Sequence, residues 1–233
     1  MTNKNLNPNV SVDCAVFGFH EEQLKVLLIE QKAGDGGNLV QLALPGDLVL
    51  ENEDLDQAAS RVLKELTSLK GIYLKQFQAF GHPDRVRNVK DQEWLRSFRD
   101  NPEARVITIA YYSLVKMEDY EPSASSFAGK VVWEDIHNIP QLAFDHNEIL
   151  SHAYEHLKGE ILDKPIGFEL LPEKFTLSQL QRLYEVVLDR KLDKRNFRKK
   201  LKKMDQVVAL DEKQTGVLHK PAQLYTFHQN GSH

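Results

Sequence analysis

Residues 10–19 alternate, with Val10, Val12, Cys14 and Val16 on one face, and a second apolar run, 24–30, follows across His20-Glu21-Glu22-Gln23. Period two over two neighbouring runs predicts a β-hairpin. The period then changes. Leu55, Ala58, Ala59, Val62, Leu63, Leu66 and Leu69 recur at three- and four-residue steps, which predicts a helix from about Leu55 with one flank on a core. Leu44-Pro45-Gly46 ahead of it marks a tight turn. Further strands are predicted over 72–80, 106–115 and 130–134. Strands and helices mixed in this order indicate the α+β class.

After residue 157 the pattern breaks. The segment 158–165, KGEILDKP, is polar, holds a glycine and a proline, and reads as a linker. It divides the chain into domains 1–158 and 159–233. In the second, Thr176 with Gln179 makes a capping box that opens a helix through Leu180, Leu183, Val187 and Leu188. Asp193 reads as the N-cap of another helix, 194–204, with Phe197, Leu201 and Met204 as its buried line. Strands at 207–210 and 223–227 follow, separated by a turn segment ending His219-Lys220-Pro221. This order of elements predicts a winged helix-turn-helix.

Composition narrows the classes. With 233 residues, 41% of them hydrophobic, the chain can build a packed core and is not a disordered protein. Cys14 is the only cysteine, which excludes an internal disulfide and a multi-cysteine zinc site. The longest apolar run, 106–115, is about half a membrane span, and no basic-then-apolar leader opens the chain, so a cytoplasmic location is expected. The formal charge of -4 conceals an asymmetry: residues 1–159 carry 16 Lys and Arg against 24 Asp and Glu, residues 160–233 carry 14 against 10. Nine cations fall between Arg190 and Lys203 against the single acid Asp193. The major groove admits one helix, and exposed Lys and Arg neutralise phosphates. Double-stranded DNA is therefore the expected partner. Arg195, Asn196, Arg198 and Lys199 are candidates for base reading. Lys200, Lys202 and Lys203 are candidates for phosphate, Lys220 on the wing for the neighbouring phosphates or the minor groove, and Lys194 with Thr176, Ser178 and Gln179 completes the DNA-binding candidates.

The stretch from Leu44 to Leu69, LPGDLVLENEDLDQAASRVLKELTSL, resembles the Nudix box, Gly-x5-Glu-x7-Arg-Glu-U-x-Glu-Glu-x-Gly-U, in which U is apolar. Glu53, Arg61, Leu63, Glu65 and Leu69 match it. Asp47 and Ser68 stand where the box has glycine, and Val62 and Leu66 where it has glutamate. The resemblance implies a mixed sheet between helices, and a loop and helix that in hydrolases of the family hold magnesium over a diphosphate. Positions 62, 65 and 66 are expected on one flank of the helix, where one glutamate lies between two aliphatic side chains. Arg61 and Glu53 are expected to brace loop against helix. No metal, no cofactor and no catalytic residue is expected.

Residues 81–105 form a charged connection longer than most loops. Trp94, Leu95 and Phe98 predict a short packed helix inside it. Arg85 and Arg105 are candidates to meet an anionic or hydroxyl-rich effector, because guanidinium forks suit such groups. Lys32, Glu65, Asp145 and His146 complete the candidate effector set. LAFDHNE, residues 142–148, resembles a segment of Nudix regulators, and Asp145 with Glu148 also reads as the capped start of a helix. His146 either points into a ligand pocket or is an ordinary first-turn residue. The step from His152 to His156 lacks a third metal ligand.

A degenerate Nudix domain followed by a basic winged helix resembles the family of Nudix-related transcriptional regulators, most of all its sugar-catabolism members. That resemblance implies a homodimer that binds an operator and responds to a sugar or nucleotide-sugar effector. Two alternatives stand beside it. One is a Nudix hydrolase acting on ADP-ribose or a similar diphosphate, with carboxylates such as Asp84 or Glu103 joining Glu53 and Glu65. The other is an RNA- or protein-binding adaptor.

Overall fold

The computed structural model describes residues 6–31, 41–96, 101–163, 166–216 and 220–228. It divides into two compact units, one of residues 1–20 and 24–156, the other of residues 21–23 and 157–233.

The first unit is a seven-stranded mixed sheet with helices. Its strands are β1 (Leu6–His20), β2 (Gln23–Gln31), β3 (Gln41–Ala43), β4 (Gly46–Leu50), β5 (Lys75–Phe80), β6 (Ile107–Lys116) and β7 (Ala128–Asp135). The main path runs β3-β2-β1-β6-β5, while β4 also pairs with β1 and β7 with β2. The long β1 is its spine. It lies parallel to β6 from Val10 opposite Ile107 to Phe19 opposite Lys116, and antiparallel to β4 at Ser11, Val12 and Asp13. At that last pairing Asp13 faces Gly46, where a Cβ would come within 1.9 Å of Asp13 Oδ1, so only glycine admits the carboxylate.

The helix α1 (Leu55–Thr67) packs Ala58, Ala59, Val62, Leu63 and Leu66 onto Val12, Cys14, Val16, Leu27, Ile29 and Tyr111. A full capping box starts it, with Asp54 accepting from Gln57 N and the Gln57 side chain accepting from Asp54 N. It ends at Ser68, at φ 62°, a left-handed conformation that favours glycine. The resemblance places glycine at that position.

The strand β4 was not anticipated, since Pro45-Gly46 and Asp47 read as turn residues. Its Leu48 and Val49 are buried and hold it to β1. The charged connection contains α2 (Val89–Leu95), anchored by Leu95 at 0% exposure; Phe98 lies outside the described residues. The helix α3 (His146–Asp163) corrects the linker assigned to 158–165, since it continues to Asp163. Leu157 and Ile161, one turn apart and both buried, extend its apolar line past Gly159.

The second unit is a winged helix. After a 3-10 turn at Phe168–Leu170 come β8 (Phe175–Thr176), α4 (Leu177–Leu188), α5 (Lys194–Leu201), β9 (Val207–Lys213) and β10 (Gln223–Phe227). The three strands pair in the order β8-β10-β9. Phe168 stacks on Phe227 with ring centroids 4.0 Å apart, and Tyr184 meets Phe197 edge-on at 5.3 Å. These rings tie strands and helices together. The helix α5 stops at Leu201, three residues short of the expected 204.

Candidate functional site

In the first unit the chemistry gathers around a cleft lined by Ser11, Asp13, Gln31, Asp47, Arg85 and His146, with Leu44, Leu48, Val86, Val106, Phe127 and Phe144 as apolar walls. Its volume of about 160 Å³ matches the scale that takes one six-membered ring. Four elements meet at its base. Arg85 from the β5–α2 connection donates from Nε and Nη2 to the two oxygens of Asp145 at 2.9 and 2.8 Å, and from Nη2 to Asp13 Oδ2 at 3.3 Å. His146 Nδ1 accepts the Leu44 N–H at 3.0 Å, which leaves the ring proton on Nε2, 3.4 Å from Asp13 Oδ1. Burial works against ionisation of Asp13, but His146, Arg85 and Thr108 outweigh it and hold the carboxyl well below the usual range. Burial also works against the charge of Arg85, and Asp145 and Asp13 reverse that and raise its pKa. The guanidinium is thus committed to two carboxylates.

Beside the cleft, Asp91 on α2 accepts the N–H of Phe144 at 3.1 Å, and burial raises its carboxyl pKa. Phe144 sits at φ 55°, a left-handed value uncommon for an aromatic residue. Asp91 therefore ties the charged connection to a strained corner of the cleft.

The Nudix-like loop and helix are braced as expected. Arg61 donates Nε to Glu53 Oε2 at 2.8 Å, Nη2 to Glu53 Oε1 at 2.6 Å, and Nη2 to Leu48 O at 2.9 Å. Glu53 in turn accepts the Leu50 N–H at 2.8 Å. Glu65 faces Arg61 at 3.3 Å. Val62 and Leu66, part of the apolar line expected to face a core, lie inside it at 0% and 1% exposure. Among the described residues no group of three or more His, Cys, Asp or Glu is placed to hold a metal ion. His152 lies against Gln78 and Phe80, and His156 against Phe77 and Tyr112.

The structure brings Arg85, Asp145 and His146 together. Arg105 instead donates to Gly81 O at 3.0 Å and does not line the cleft, Glu65 is engaged with Arg61, and Lys32 lies outside the described residues. Asp13, Ser11 and Gln31 went unrecognised. A signal for the first existed: Asp13 is a lone carboxylate within an apolar strand, on the face opposite Val12 and Cys14.

In the second unit a groove of about 1500 Å³ is lined by Thr176 and Ser178 from the start of α4, by Lys194, Arg195, Arg198 and Lys199 from α5 with Lys202 at its C-cap, and by Lys220 to Gln223 of the wing. Phe197 and Leu201 hold α5 down, while Lys194, Arg195, Asn196, Arg198, Lys199, Lys200, Lys202 and Lys203 are exposed. Ser178 and Gln179 are exposed too. Thr176, proposed among the DNA contacts, is 4% exposed and its hydroxyl caps α4 by accepting from Gln179 N, so it serves the helix instead. The turn before α5 is set by Glu185, which accepts from Leu192 N and from Gln181 Nε2, both at 3.0 Å. Gln181 also donates to Leu192 O at 3.0 Å. Those bonds lower the Glu185 pKa.

A Nudix-like α+β unit followed by a winged helix-turn-helix is the class of fold these elements define. The family model for the NrtR DNA-binding winged helix domain matches residues 167–227. Over 95% of its length the chain is 29% identical to the ADPR responsive transcriptional repressor NtrR of Acinetobacter baylyi, covering 82% of that protein. It is 30% identical to the ADP-ribose pyrophosphatase of Methanocaldococcus jannaschii over 62% of this chain and 72% of that protein. Shewanella oneidensis NrtR complexed with a 27mer DNA superposes with a TM-score of 0.68 at 26% identity, covering 94% of this chain and 93% of that one. Its NUDIX domain complexed with ADP ribose gives a TM-score of 0.51 at 25% identity, over 66% and 94%. The chain belongs to the family of Nudix-related transcriptional regulators. Among the described residues no helix is long and apolar enough to cross a membrane.

Proposed function

We propose that this chain is an ADP-ribose-responsive, DNA-binding repressor whose Nudix-like unit senses the effector without cleaving it. The observation that carries the DNA reading is α5, a helix whose two buried residues leave a face made almost wholly of Lys and Arg beside the wing. Arg195, Asn196, Arg198 and Lys199 read bases, and Lys194, Lys200, Lys202, Lys203 and Lys220 take phosphates. A homodimer places two such helices in successive major grooves. ADP-ribose replaces the broader expectation of a sugar metabolite, because two relatives of different kinds and a co-crystallised NUDIX domain bear its name. The cleft holds part of it, and the effector shifts DNA affinity by its differential affinity for two arrangements of the protein.

The non-hydrolytic reading rests on the donor set. Magnesium takes several hard oxygens in near-octahedral geometry. Here two of the box's glutamate positions are aliphatic and buried, and Glu53 and Glu65 both face Arg61. The residues present do not fit the ion. The alternative, hydrolysis of ADP-ribose to AMP and ribose 5-phosphate, draws on the archaeal pyrophosphatase.

One experiment tests both. Fluorescence anisotropy on a 30-base-pair duplex enriched from a random library gives affinity with and without ADP-ribose, and chromatography of the same mixtures with added magnesium gives products. Sequence-selective binding that changes at least fivefold with intact ADP-ribose is expected. Equal affinity for unrelated duplexes, or magnesium-dependent AMP lost in Glu65→Gln, would overturn the proposal.

A further inference from the structure

We infer that Gln181 and Glu185 of α4 are positioning residues for DNA recognition: by holding Leu192, the residue ahead of the α5 N-cap, they fix the rotation at which α5 presents its exposed face. The inference rests on the DNA reading above and adds what aims the helix. Phe197 and Leu201, the two buried residues of α5, lie one turn apart on one face. Two such points leave the helix free to rotate about the line that joins them. Lys200 reaches Leu162 O, but through a long exposed side chain that restrains the backbone little. A third point comes from α4. Glu185 Oε1 accepts the Leu192 N–H and a Gln181 Nε2 hydrogen, both at 3.0 Å, and Gln181 Nε2 donates its other hydrogen to Leu192 O at 3.0 Å. Both backbone groups of Leu192 are thus spent on α4, the helix whose start lines the groove with Ser178. Asp193, next in the chain, caps α5 by accepting from Asn196 N at 2.8 Å, so the hold on Leu192 passes to the helix within one residue. The lever is large. Exposed side chains of α5 end about 10 Å from the line through its buried residues, so a turn of about 10° carries them about 2 Å. A recognition geometry tolerates about 0.5 Å. Attraction to the phosphates depends on how many of them are neutralised, which a small rotation leaves alone. The pair therefore governs selectivity between duplexes and not general affinity.

The test is anisotropy titration of the full chain against the enriched duplex and a scrambled duplex of the same composition, for wild type, Gln181→Met, Glu185→Ala and Glu185→Gln, with circular dichroism checking the fold of each. Methionine matches glutamine in length and removes both donors. Gln181→Met and Glu185→Ala weaken binding to the enriched duplex by at least about fivefold, the lower end of what one bidentate base contact discriminates. Affinity for the scrambled duplex stays within about twofold and the salt slope does not move, because the cations are all still present. Glu185→Gln keeps Oε1 for Leu192 and gives up only the solvent-facing pairs with Lys191 and Arg182, and it stays near wild type on both duplexes. Equal losses on both duplexes, or no loss on either by a folded variant, overturn the inference. A measurement on wild type needs no variant to fold: amide exchange resolved to Leu192 in the DNA-free chain is slowed by the hold on its N–H, and exchange at the rate of an unstructured peptide overturns the inference too. Wild type that binds both duplexes alike removes the DNA reading and the inference with it. Wild type that discriminates, beside variants with an unchanged ratio, removes the positioning role alone.

Discussion

Arg85→Met takes the cation out of a carboxylate network and leaves the shape of the side chain largely in place. Asp13, 4% exposed, and Asp145, whose side chain is 13% exposed, then face each other's surroundings with no guanidinium between them. Breaking a buried pair by removing one partner costs about 3–5 kcal/mol. At about 2–4 °C per kcal/mol for a chain of this size, the expected loss in Tm is roughly 6–20 °C at pH 7.5. The pH dependence carries a sign. In the wild type the Asp13 pKa is depressed by folding, so its stabilisation is present above the unfolded carboxyl pKa and is lost as pH falls through the folded value. In the variant, burial acts on Asp13 with one opposing charge fewer, which favours the protonated form as pH falls. The wild-type advantage therefore narrows below about pH 5, near the unfolded carboxyl range. Scanning fluorimetry from pH 4 to 8 measures it. A change in Tm under 2 °C at pH 7.5, or a gap that widens on acidification, would refute the reasoning. Arg85→Met with Asp13→Asn should recover part of the loss, because the second change removes the charge left stranded by the first.

Other parts of the structure give sharper binary outcomes. Val62→Glu with Leu66→Glu, which restores the Nudix box on paper, should unfold the first unit without creating magnesium-dependent hydrolysis, since both positions are fully buried; circular dichroism and product analysis decide. Cys14 is buried with Sγ 3.9 Å from Ala59 O, and burial pushes its thiol pKa up, so it should resist a disulfide reagent at pH 8 until denaturant is added. Lys202→Ala and Lys203→Ala should each lower the slope of log affinity against log salt by about 1, as expected for a lost phosphate contact. Glu185→Ala should cost about 1–3 kcal/mol in urea unfolding by freeing the Leu192 N–H, and Glu185→Gln, which keeps an acceptor, should cost less.

Short-range chemistry made much of this legible in the sequence. Arg61 and Glu53 are eight residues apart and meet across one turn of loop and helix, and the resemblance to the Nudix box placed them together. The capping boxes at Asp54 and Thr176 and the apolar line of α1 are equally local, though only the second box was read as such. The cleft is another matter. Arg85 reaches Asp13 across 72 positions and Leu44 reaches His146 across 102, and no periodicity encodes which strand will lie beside which. For the same reason Arg85 reads as a free fork in the sequence and proves to be a brace. The misplaced linker has a local cause: glycine lowers helix propensity by about 1 kcal/mol, and burial of Leu157 and Ile161 outweighs it.

The basic helix is pinned by only two residues, Phe197 and Leu201. Of its six exposed positions Lys200 donates Nζ to Leu162 O, and substitutions at the other five leave the buried scaffold beneath alone. Surface and scaffold are thus separable in this helix, and a laboratory library confined to those five sites would vary what the groove meets on one unchanged frame.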